Sequence, residues 1–326
     1  MGKLVTIYGG SGFLGRYVAR RMAQQGWRVR VASRRPNEAL FVKTYGAVGQ
    51  VEPVFCNVRD DASVALAMKG ADAVVNCVGT FDKGGKNNFQ AVHVEASGRI
   101  ARAAAAAGVG ALVHVSALGA DSESDSGYYK SKAEGEKAVS AAFPGAAILR
   151  PSVMFGAEDG LFNRFASLSR FGPILPLVGK GTRFQPVFVD DVASAAVTAI
   201  EGGKKGVFEL GGPEVATLGD LVKDMLTVID RRRLVVAMPF WKARMIGGVF
   251  DFVSFVTGGL ITNAVLTRDQ VKMLRHDNVA KSDGLGALGV TPTPMHVVLP
   301  EYLWRYRPSG QYQAIKDSAR NLRTDG

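Results

Sequence analysis

The feature that most constrains the fold is a glycine-rich turn between a β-branched run and an amphipathic run. The first run, residues 3–8, leads directly into Gly9, Gly12 and Gly15, which stand three residues apart and open a helical pattern. Because glycine has no Cβ atom, such a turn can tighten until a pyrophosphate reaches the free N–H groups at the start of the helix. The spacing alone is a weak signal, but its place after the first strand predicts a dinucleotide-binding loop, in which Ser11, Phe13 and Leu14 also line the cofactor.

The rest of the N-terminal half repeats this strand and helix rhythm. Further strands are predicted at residues 28–33, 51–55, 73–77, 111–116 and 146–149. Helical patterns fall between strands, at residues 13–25, 60–68, 87–107 and 127–142. Alternation at this spacing calls for a parallel sheet with helices on both faces. Right-handed crossovers then give the doubly wound α/β arrangement of a Rossmann domain.

The rhythm changes after Arg150. Loops rich in Gly and Pro are expected at residues 171–181, helices at about 192–201 and 218–229, and a short strand near 206–210. A helix predicted at residues 240–256 is apolar nearly all round, so it should be buried or pressed against another surface. We predict a Rossmann domain at residues 1–150, a smaller interleaved C-terminal lobe at 151–284 and an extended, basic C-terminal arm at 285–326.

Charge and composition narrow the range of partners. The formal net charge of +11 favours anionic partners, namely nucleotide phosphates, an acidic protein surface or anionic lipid. No basic stripe is interleaved with aromatic residues, so nucleic acid is not expected. The four histidines show no metal-ligand spacing, and no metal site is predicted. Residues 245–266 are apolar, but Asp251, Asn263 and four glycines interrupt them, which argues against a membrane span.

The end of the second strand predicts which dinucleotide is bound. Folds that prefer NAD usually carry Asp or Glu there, to bond the ribose 2′-hydroxyl. This chain has Ser33, Arg34 and Arg35 instead, which suit the 2′-phosphate of NADPH and leave no carboxylate to repel it. The alternative is an ordinary solvated arginine pair.

The ends of later strands complete the predicted cleft. Asn57 and Val58 follow the third strand, where adenine is contacted, and the fourth strand ends in Cys77, Val78 and Gly79 beside the expected nicotinamide ribose.

A tyrosine and a lysine provide a candidate catalytic pair. Tyr128 and Lys132 stand four residues apart and therefore share one face of a helix. A lysine so placed lowers the phenol pKa and holds the ribose, so that the tyrosine can act as a general acid or base. The alternative is an ordinary exposed helix face.

Several motifs together resemble the extended and atypical short-chain dehydrogenases. They are the glycine pattern, the Tyr128 and Lys132 pair, and residues 150–156, 186–193 and 208–212. Residues 128–137, 165–173 and 266–273 more narrowly resemble the nucleotide-binding accessory subunits of respiratory complex I, the alpha-subcomplex subunit 9 type. The resemblance adds Ser116, Pro151, Ser152 and Val153 to the expected cofactor contacts.

That narrower resemblance implies a biological setting. It implies a tightly held NADPH without established turnover, and association with other complex I subunits in the peripheral arm near the membrane. The expected location is the cytoplasmic face of a bacterial inner membrane or, alternatively, the matrix face of the mitochondrial inner membrane, with anionic lipid as a further contact.

One departure bears on catalysis. Catalytic relatives carry a run of small hydroxyl residues after the fifth strand, and here Ser116 matches its first position while Leu118 stands at the usual catalytic serine. Losing one such donor typically costs about 10²–10³ in rate. Three functions therefore stay open: a complex I accessory subunit with structural NADPH, an active NADPH-dependent reductase or epimerase on a small carbonyl or sugar-nucleotide substrate, and a nucleotide-sensing regulator.

Overall fold

The computed structural model describes residues 2–81, 84–241, 268–308 and 310–312. Strands and helices alternate through its first half as the sequence predicts. The strands are β1 Leu4–Tyr8, β2 Arg28–Ser33, β3 Val51–Phe55, β4 Ala73–Asn76, β5 Ala111–Val115 and β6 Ala147–Pro151. The helices are α1 Phe13–Gln24, α2 Asp61–Met68, α3 Ala96–Ala106 and α4 Gly127–Ala142. A π-helix, Gln90–Glu95, leads into α3, so the helix predicted at residues 87–107 is irregular in its first part.

The second half adds shorter elements. Its strands are β7 Met154–Phe155, β8 Ile174–Val178, β9 Arg183–Phe184, β10 Val187–Phe188, β11 Gly206–Leu210, β12 Ala216–Thr217 and β13 Leu234–Met238. Its helices are α5 Phe162–Leu168, α6 Val189–Glu201, α7 Leu218–Val228, α8 Arg268–Met273, α9 Gly284–Ala287 and α10 Met295–Leu303.

Seven strands form one central sheet in the order β11-β6-β5-β4-β1-β2-β3. Every pairing in it is parallel, with β1 lying between β2 and β4. The chain reverses its direction of winding at β1, which opens a crevice at the carboxyl ends of β1 and β4. The doubly wound α/β prediction is therefore confirmed.

Two apolar cores hold the central sheet between its helices. On one face, Val5, Ile7 and Val75 pack with α1 and α6. On the other, Tyr8 and Val74 pack with α2 and α3. The alternation follows from the pleat, since successive side chains of a strand point to opposite faces.

A third core forms the smaller lobe. It joins α5, α7, α10 and strand β8, with Phe162, Leu177, Leu221 and Leu299 among its buried members. The lobe is interleaved with the Rossmann domain as predicted, because α6 and β11 return to the central sheet between lobe segments. The domain boundaries themselves stay a prediction.

Two local predictions are wrong. Residues 171–181 were expected to form loops, but β8 lies within them because β13, far along the chain, pairs with it in parallel. The extended arm was expected from Leu285 onward, but Leu285 and Leu288 are buried in the main core and Tyr302 and Leu303 in the lobe core. Burial of these apolar side chains in the two cores is more favourable than their exposure to water in an extended arm.

Most of the apolar helix predicted at residues 240–256 lies outside the described residues, as do residues 313–326. In the ranges that are described, no helix is long and apolar enough to cross a bilayer.

Candidate cofactor site

The glycine loop follows β1 at the crevice of the sheet. Gly9 has a φ of +73°, a conformation that favours glycine, and its carbonyl accepts from Gly12 N at 3.0 Å. A Cβ on Gly15 would lie 2.3 Å from the Gly9 carbonyl oxygen, so only glycine lets α1 begin this close to the loop. Gly12 caps α1 without a side-chain hydrogen bond, so the first amides of the helix would be available to a bound anion.

The side chains expected around the 2′-phosphate lie together. Ser11 Oγ donates to Ser33 Oγ at 3.3 Å, and Arg35 N donates to the same Ser33 oxygen at 3.3 Å. Arg34 and Arg35 are exposed beside them, and Arg35 pairs with the exposed Glu38 at 3.0 Å. The residues predicted for the anion subsite are therefore neighbours with exposed guanidiniums, and their contact with a 2′-phosphate stays a prediction.

Sequence reasoning missed Arg16 at this end of the site. Its guanidinium donates to the carbonyls of Ser11 and Gly12 at 3.2 and 3.3 Å and lies 4.8 Å from the Phe41 ring centroid. It also pairs with Glu158 at 3.0 Å. Its position one residue after the third glycine, on the first turn of α1, was the available signal.

Asn57 and Val58 follow β3 as predicted. Asn57 Oδ1 accepts from Arg59 N at 3.2 Å, which closes a turn. The backbone N of Asn57 donates to Ser63 Oγ at 2.9 Å. Val58 packs partly against the core beneath α2. The pair therefore forms a firm wall, and its contact with adenine stays a prediction.

The end of β4 forms the floor between the two halves of the site. The backbones of Cys77 and Val78 come within 3.1 Å of where a Gly9 Cβ would stand, so they pack directly under the glycine loop. A Cβ on Gly79 would lie 3.8 Å from Lys132 Nζ. Gly79 therefore lies directly beside the ammonium group of Lys132.

Tyr128 and Lys132 share one face of α4, as their spacing predicts. Lys132 Nζ lies 5.9 Å from the centroid of the Tyr128 ring and donates to the Val115 carbonyl at 3.2 Å. Burial lowers the pKa of Lys132 to about 8, although Glu136 and Cys77 raise it in part. Burial raises the pKa of Tyr128, with a smaller contribution from Tyr129.

Aromatic rings surround Tyr128. Phe81 stacks on it with ring centroids 5.0 Å apart, and Phe89, His93 and Tyr129 meet it edge-on at 5.4 to 5.9 Å. The phenol therefore stands in an apolar wall, a position that its sequence motif does not reveal.

Two buried histidines lie behind this wall. His93 Nε2 accepts from Thr80 N at 3.1 Å, and Ser131 lies 2.9 Å from its Nδ1. His114 Nδ1 lies 3.1 Å from Asn76 Nδ2. Burial, followed by the Lys132 charge, lowers the pKa of both imidazoles to about 3, so both are neutral at pH 7.

Ser116 and Leu118 follow β5. Within the described part of the chain, Ser116 Oγ and His114 Nε2 are buried without a hydrogen-bond partner. Leu118 is 4% exposed, and its backbone is held by Pro151 O at 2.9 Å and Asn278 Nδ2 at 3.3 Å. The position expected for a catalytic serine thus holds an apolar side chain on a fixed backbone.

The residues after Leu149 lie at the same edge of the sheet. Pro151 ends β6, Ser152 Oγ donates to Asn278 Oδ1 at 2.6 Å, and Val153 N donates to the same oxygen at 3.0 Å. Asn278 already occupies the Ser152 hydroxyl, so any contact of these three residues with a cofactor stays a prediction.

The arrangement fits a nicotinamide dinucleotide, the cofactor that the family resemblance implies. The glycine loop leaves room that a Cβ would fill, and Lys132 holds a buried ammonium beside Gly79. Among the residues that the structure describes, the buried Ser116 hydroxyl has no hydrogen-bond partner. A bound dinucleotide would supply hydride chemistry at its nicotinamide ring.

Comparison with curated proteins identifies close relatives. The chain is 33% identical over 318 residues to the mitochondrial NADH dehydrogenase (ubiquinone) 1 alpha subcomplex subunit 9 of Arabidopsis thaliana, covering 95% of this chain and 79% of that protein. It is 34% identical over 315 residues to the subunit of the same name from Mus musculus, covering 94% and 81%. A ceramide reductase of Caulobacter vibrioides is 29% identical over 293 residues, covering 88% and 89%.

Solved structures show the same fold. The crystal structure of gox2253 superposes with a TM-score of 0.72 at 23% identity, covering 95% of this chain and 99% of that one. The dTDP-glucose 4,6-dehydratase DesIV of Streptomyces venezuelae, solved with NAD and TYD, gives a TM-score of 0.71 at 20% identity over 95% and 99%.

The family model named NAD dependent epimerase/dehydratase matches residues 5–211, which span the central sheet, the glycine loop and the Tyr128 and Lys132 pair. The chain therefore belongs to the NAD dependent epimerase/dehydratase family, in the branch that contains the alpha subcomplex subunit 9 proteins.

Proposed function

We propose that the chain is an accessory subunit of respiratory complex I that binds NADPH and holds it structurally, with little or no turnover. Relatives at 33% and 34% identity are named as NADH dehydrogenase (ubiquinone) subunits and align over nearly the whole chain. The preference for NADPH rests on Ser33, Arg34 and Arg35, which lie together at the end of β2. The strand carries no carboxylate at its own end, and the exposed Glu38 that pairs with Arg35 would have to release it to the 2′-phosphate.

The observation that carries the absence of turnover is Leu118. Its side chain is buried where the catalytic serine is expected, and hydrogen bonds on both sides fix its backbone. A substrate carbonyl there lacks a hydroxyl donor where negative charge develops. Tyr128 adds to this, since burial raises its pKa away from the range of an efficient acid or base at pH 7.

The test uses the purified full chain with bound NADPH. We expect the absorbance of the reduced cofactor to stay constant when aldehydes and ketones are added. Rapid oxidation that Tyr128→Phe abolishes would contradict the proposal.

Such an outcome would favour the second candidate function, that of an NADPH-dependent reductase. Two observations favour it: Tyr128 and Lys132 keep the expected arrangement on α4, and one relative is named as a ceramide reductase.

An exposed apolar face supports the docking half of the proposal. The paired strands β8 and β13 place Leu234 beside Ile174, and these side chains are 65% and 57% exposed. Phe171 and Trp241, at 85% and 61%, extend the apolar surface beyond the strands. Exposed apolar patches of this kind mark interaction sites.

Positive charge borders this face. Burial lowers the pKa of Arg231, and the nearby Arg233 and Arg170 lower it further. Guanidiniums this close repel one another in the free chain, and an anionic partner would reduce that repulsion. We therefore propose that this face binds an acidic and apolar surface of another complex I subunit. The proposed location is peripheral, on the cytoplasmic face of a bacterial inner membrane or the matrix face of the mitochondrial one.

The docking test compares two variants in membranes of the source organism. The double variant Ile174→Lys and Leu234→Lys should keep NADPH binding and be lost from membrane-bound NADH:ubiquinone oxidoreductase. Truncation after Tyr312 asks whether residues 313–326 contribute. A longer truncation, after Pro300, is not suitable for this test. It would remove the buried Tyr302 and Leu303 and so damage the lobe core.

A double variant that still co-purifies with the complex would refute this docking face. Binding of the wild type, but not the double variant, to anionic lipid vesicles would assign the face to lipid instead.

A further inference from the structure

The helix that carries Tyr128 and Lys132 begins without a local cap. The first amides of a helix need acceptors, which a serine at the N-cap commonly supplies through its own oxygen. Ser126 occupies the N-cap of α4 but makes no side-chain capping bond. Its Oγ donates away from the helix instead, to Asp269 Oδ2 at 3.0 Å.

Asp269 caps the helix from far along the chain. Its Oδ1 accepts from Gly127 N and its Oδ2 from Tyr128 N, both at 3.0 Å. The carboxylate is 3% exposed. An anion at a helix N-terminus is stabilised by the free amides and by the helix dipole. This carboxylate therefore fixes the backbone from which the Tyr128 side chain projects.

The short helix α8, which carries Asp269, is itself held in place. Lys272 Nζ donates to Asp125 O at 2.7 Å, on the loop before α4. Val271 is 1% exposed and packs with Val178 of β8 and Met238 of β13. The helix thus links the first turn of α4 to the small sheet of the lobe.

Asn278, a few residues beyond α8, ties down the strand ends. Its Oδ1 accepts from Ser152 Oγ at 2.6 Å and Val153 N at 3.0 Å, and its Nδ2 donates to Leu118 O at 3.3 Å. A hydrogen bond to Asn278 also lowers the pKa of Tyr129 in part, against the larger effect of burial. Leu118 follows β5, whose Val115 carbonyl accepts from Lys132, and Tyr129 adjoins Tyr128 on α4, so these contacts join the C-terminal segment to the Tyr128 and Lys132 end of the site.

We propose that Asp269 is a positioning residue for the nicotinamide half of the cofactor site. It acts through α4, holding Tyr128 and Lys132 toward the nicotinamide riboside. The inference rests on the proposed dinucleotide site, and it assigns to the C-terminal segment a role that the family motifs leave open.

The test separates the two halves with two ligands. NADPH occupies both halves, whereas 2′,5′-ADP occupies the adenosine half alone. Asp269→Asn replaces one acceptor oxygen by an NH₂ group that faces an amide N–H. We expect NADPH to bind about tenfold more weakly to this variant and 2′,5′-ADP to bind within about twofold of the wild type, both measured by calorimetry.

Two further variants serve as controls. Asp277 lies near Asp269 in sequence but pairs with the exposed Arg183. In Asp277→Asn, the affinities for NADPH and for 2′,5′-ADP should therefore stay at the wild-type values. Asp269→Glu keeps the carboxylate and should recover part of the NADPH affinity. If Asp269→Asn fails to fold, Ser126→Ala removes one of the donors described above and should give a smaller loss confined to NADPH.

Equal losses for both ligands would show a general structural role and overturn the proposal, as would an unchanged NADPH affinity. If the wild type instead prefers NADH, the proposed NADPH preference fails on its own, and the same comparison with NADH and ADP decides the role of Asp269.

Discussion

The proposed adenosine half and the proposed nicotinamide half of the site are built in different ways. The adenosine half lies mostly within residues 9–35, where the glycine loop, Ser33 and the two arginines follow one another along the chain. The nicotinamide half combines Gly79, Ser116, Tyr128 and a cap from Asp269. A local site depends on backbone conformation, whereas a dispersed one depends on the whole fold being complete.

Their surroundings differ as well. Arg34 and Arg35 are exposed, while Lys132, His93 and His114 are at least 95% buried. Changes in the first half should therefore alter binding with little effect on stability. Changes in the second should alter how stability depends on pH.

The largest effect should come from Gly15→Ala. The new Cβ would stand 2.3 Å from Gly9 O and 2.6 Å from Gly10 Cα, and both are backbone atoms that cannot rotate away. We expect NADPH affinity to fall by about a hundredfold, because α1 must move off the loop. Calorimetry on the purified variant measures this.

The matched control is Gly181→Ala, where a Cβ would meet nothing within 4 Å. Near-wild-type NADPH affinity in Gly15→Ala would mean that the loop does not cradle the pyrophosphate.

A smaller effect is expected from replacing Arg34 and Arg35 together by Ala. Both guanidiniums are exposed and screened by water, so each contact with the 2′-phosphate would contribute only about 0.5–1 kcal/mol, and the double variant should lose most of the preference for NADPH over NADH, a ratio of about tenfold. Calorimetry with both ligands gives the ratio. Arg28→Ala, at the opposite end of β2, should leave that ratio unchanged. Equal affinities already in the wild type would refute the preference.

The effect that is smallest at pH 7, and that appears only in acid, concerns His114 and folding stability. Its pKa is about 3 in the folded chain and about 6.5 when unfolded, so between these values the unfolded state binds the extra proton. The free energy of unfolding should therefore fall, by up to about 1.4 kcal/mol per pH unit for this group, as the pH drops from 6.5 toward 3.

Urea unfolding of His114→Gln across that window should show a shallower decline. Ser116→Ala changes a buried but non-titrating residue on the same strand face and should keep the wild-type slope. Identical slopes for His114→Gln and the wild type would show that the imidazole is not held neutral.

The adenosine half was predictable because its rules are local. Glycine spacing and residue type at the end of β2 need no knowledge of distant contacts, and periodicity located all six predicted strands of the N-terminal half. Tyr128 and Lys132 were found for the same reason, since they lie one helical turn apart.

The remainder depends on contacts between residues far apart in sequence. The sequence of β8 predicts a loop, and it forms a strand because β13 pairs with it. The segment around Leu299 predicts an extended arm, and it is buried because α5 and α7 pack around it. Likewise, nothing near Ser126 indicates that Asp269 will cap its helix.

That cap also has a consequence for the order of assembly. Synthesis proceeds from the N-terminus, so Ser126, Gly127 and Tyr128 leave the ribosome about 140 residues before the carboxylate that accepts their hydrogen bonds. The loop that closes between them is long, and such contacts form late in folding because of their entropic cost. A nascent chain therefore completes its phosphate-binding end first, and the nicotinamide end matures only when the C-terminal segment arrives.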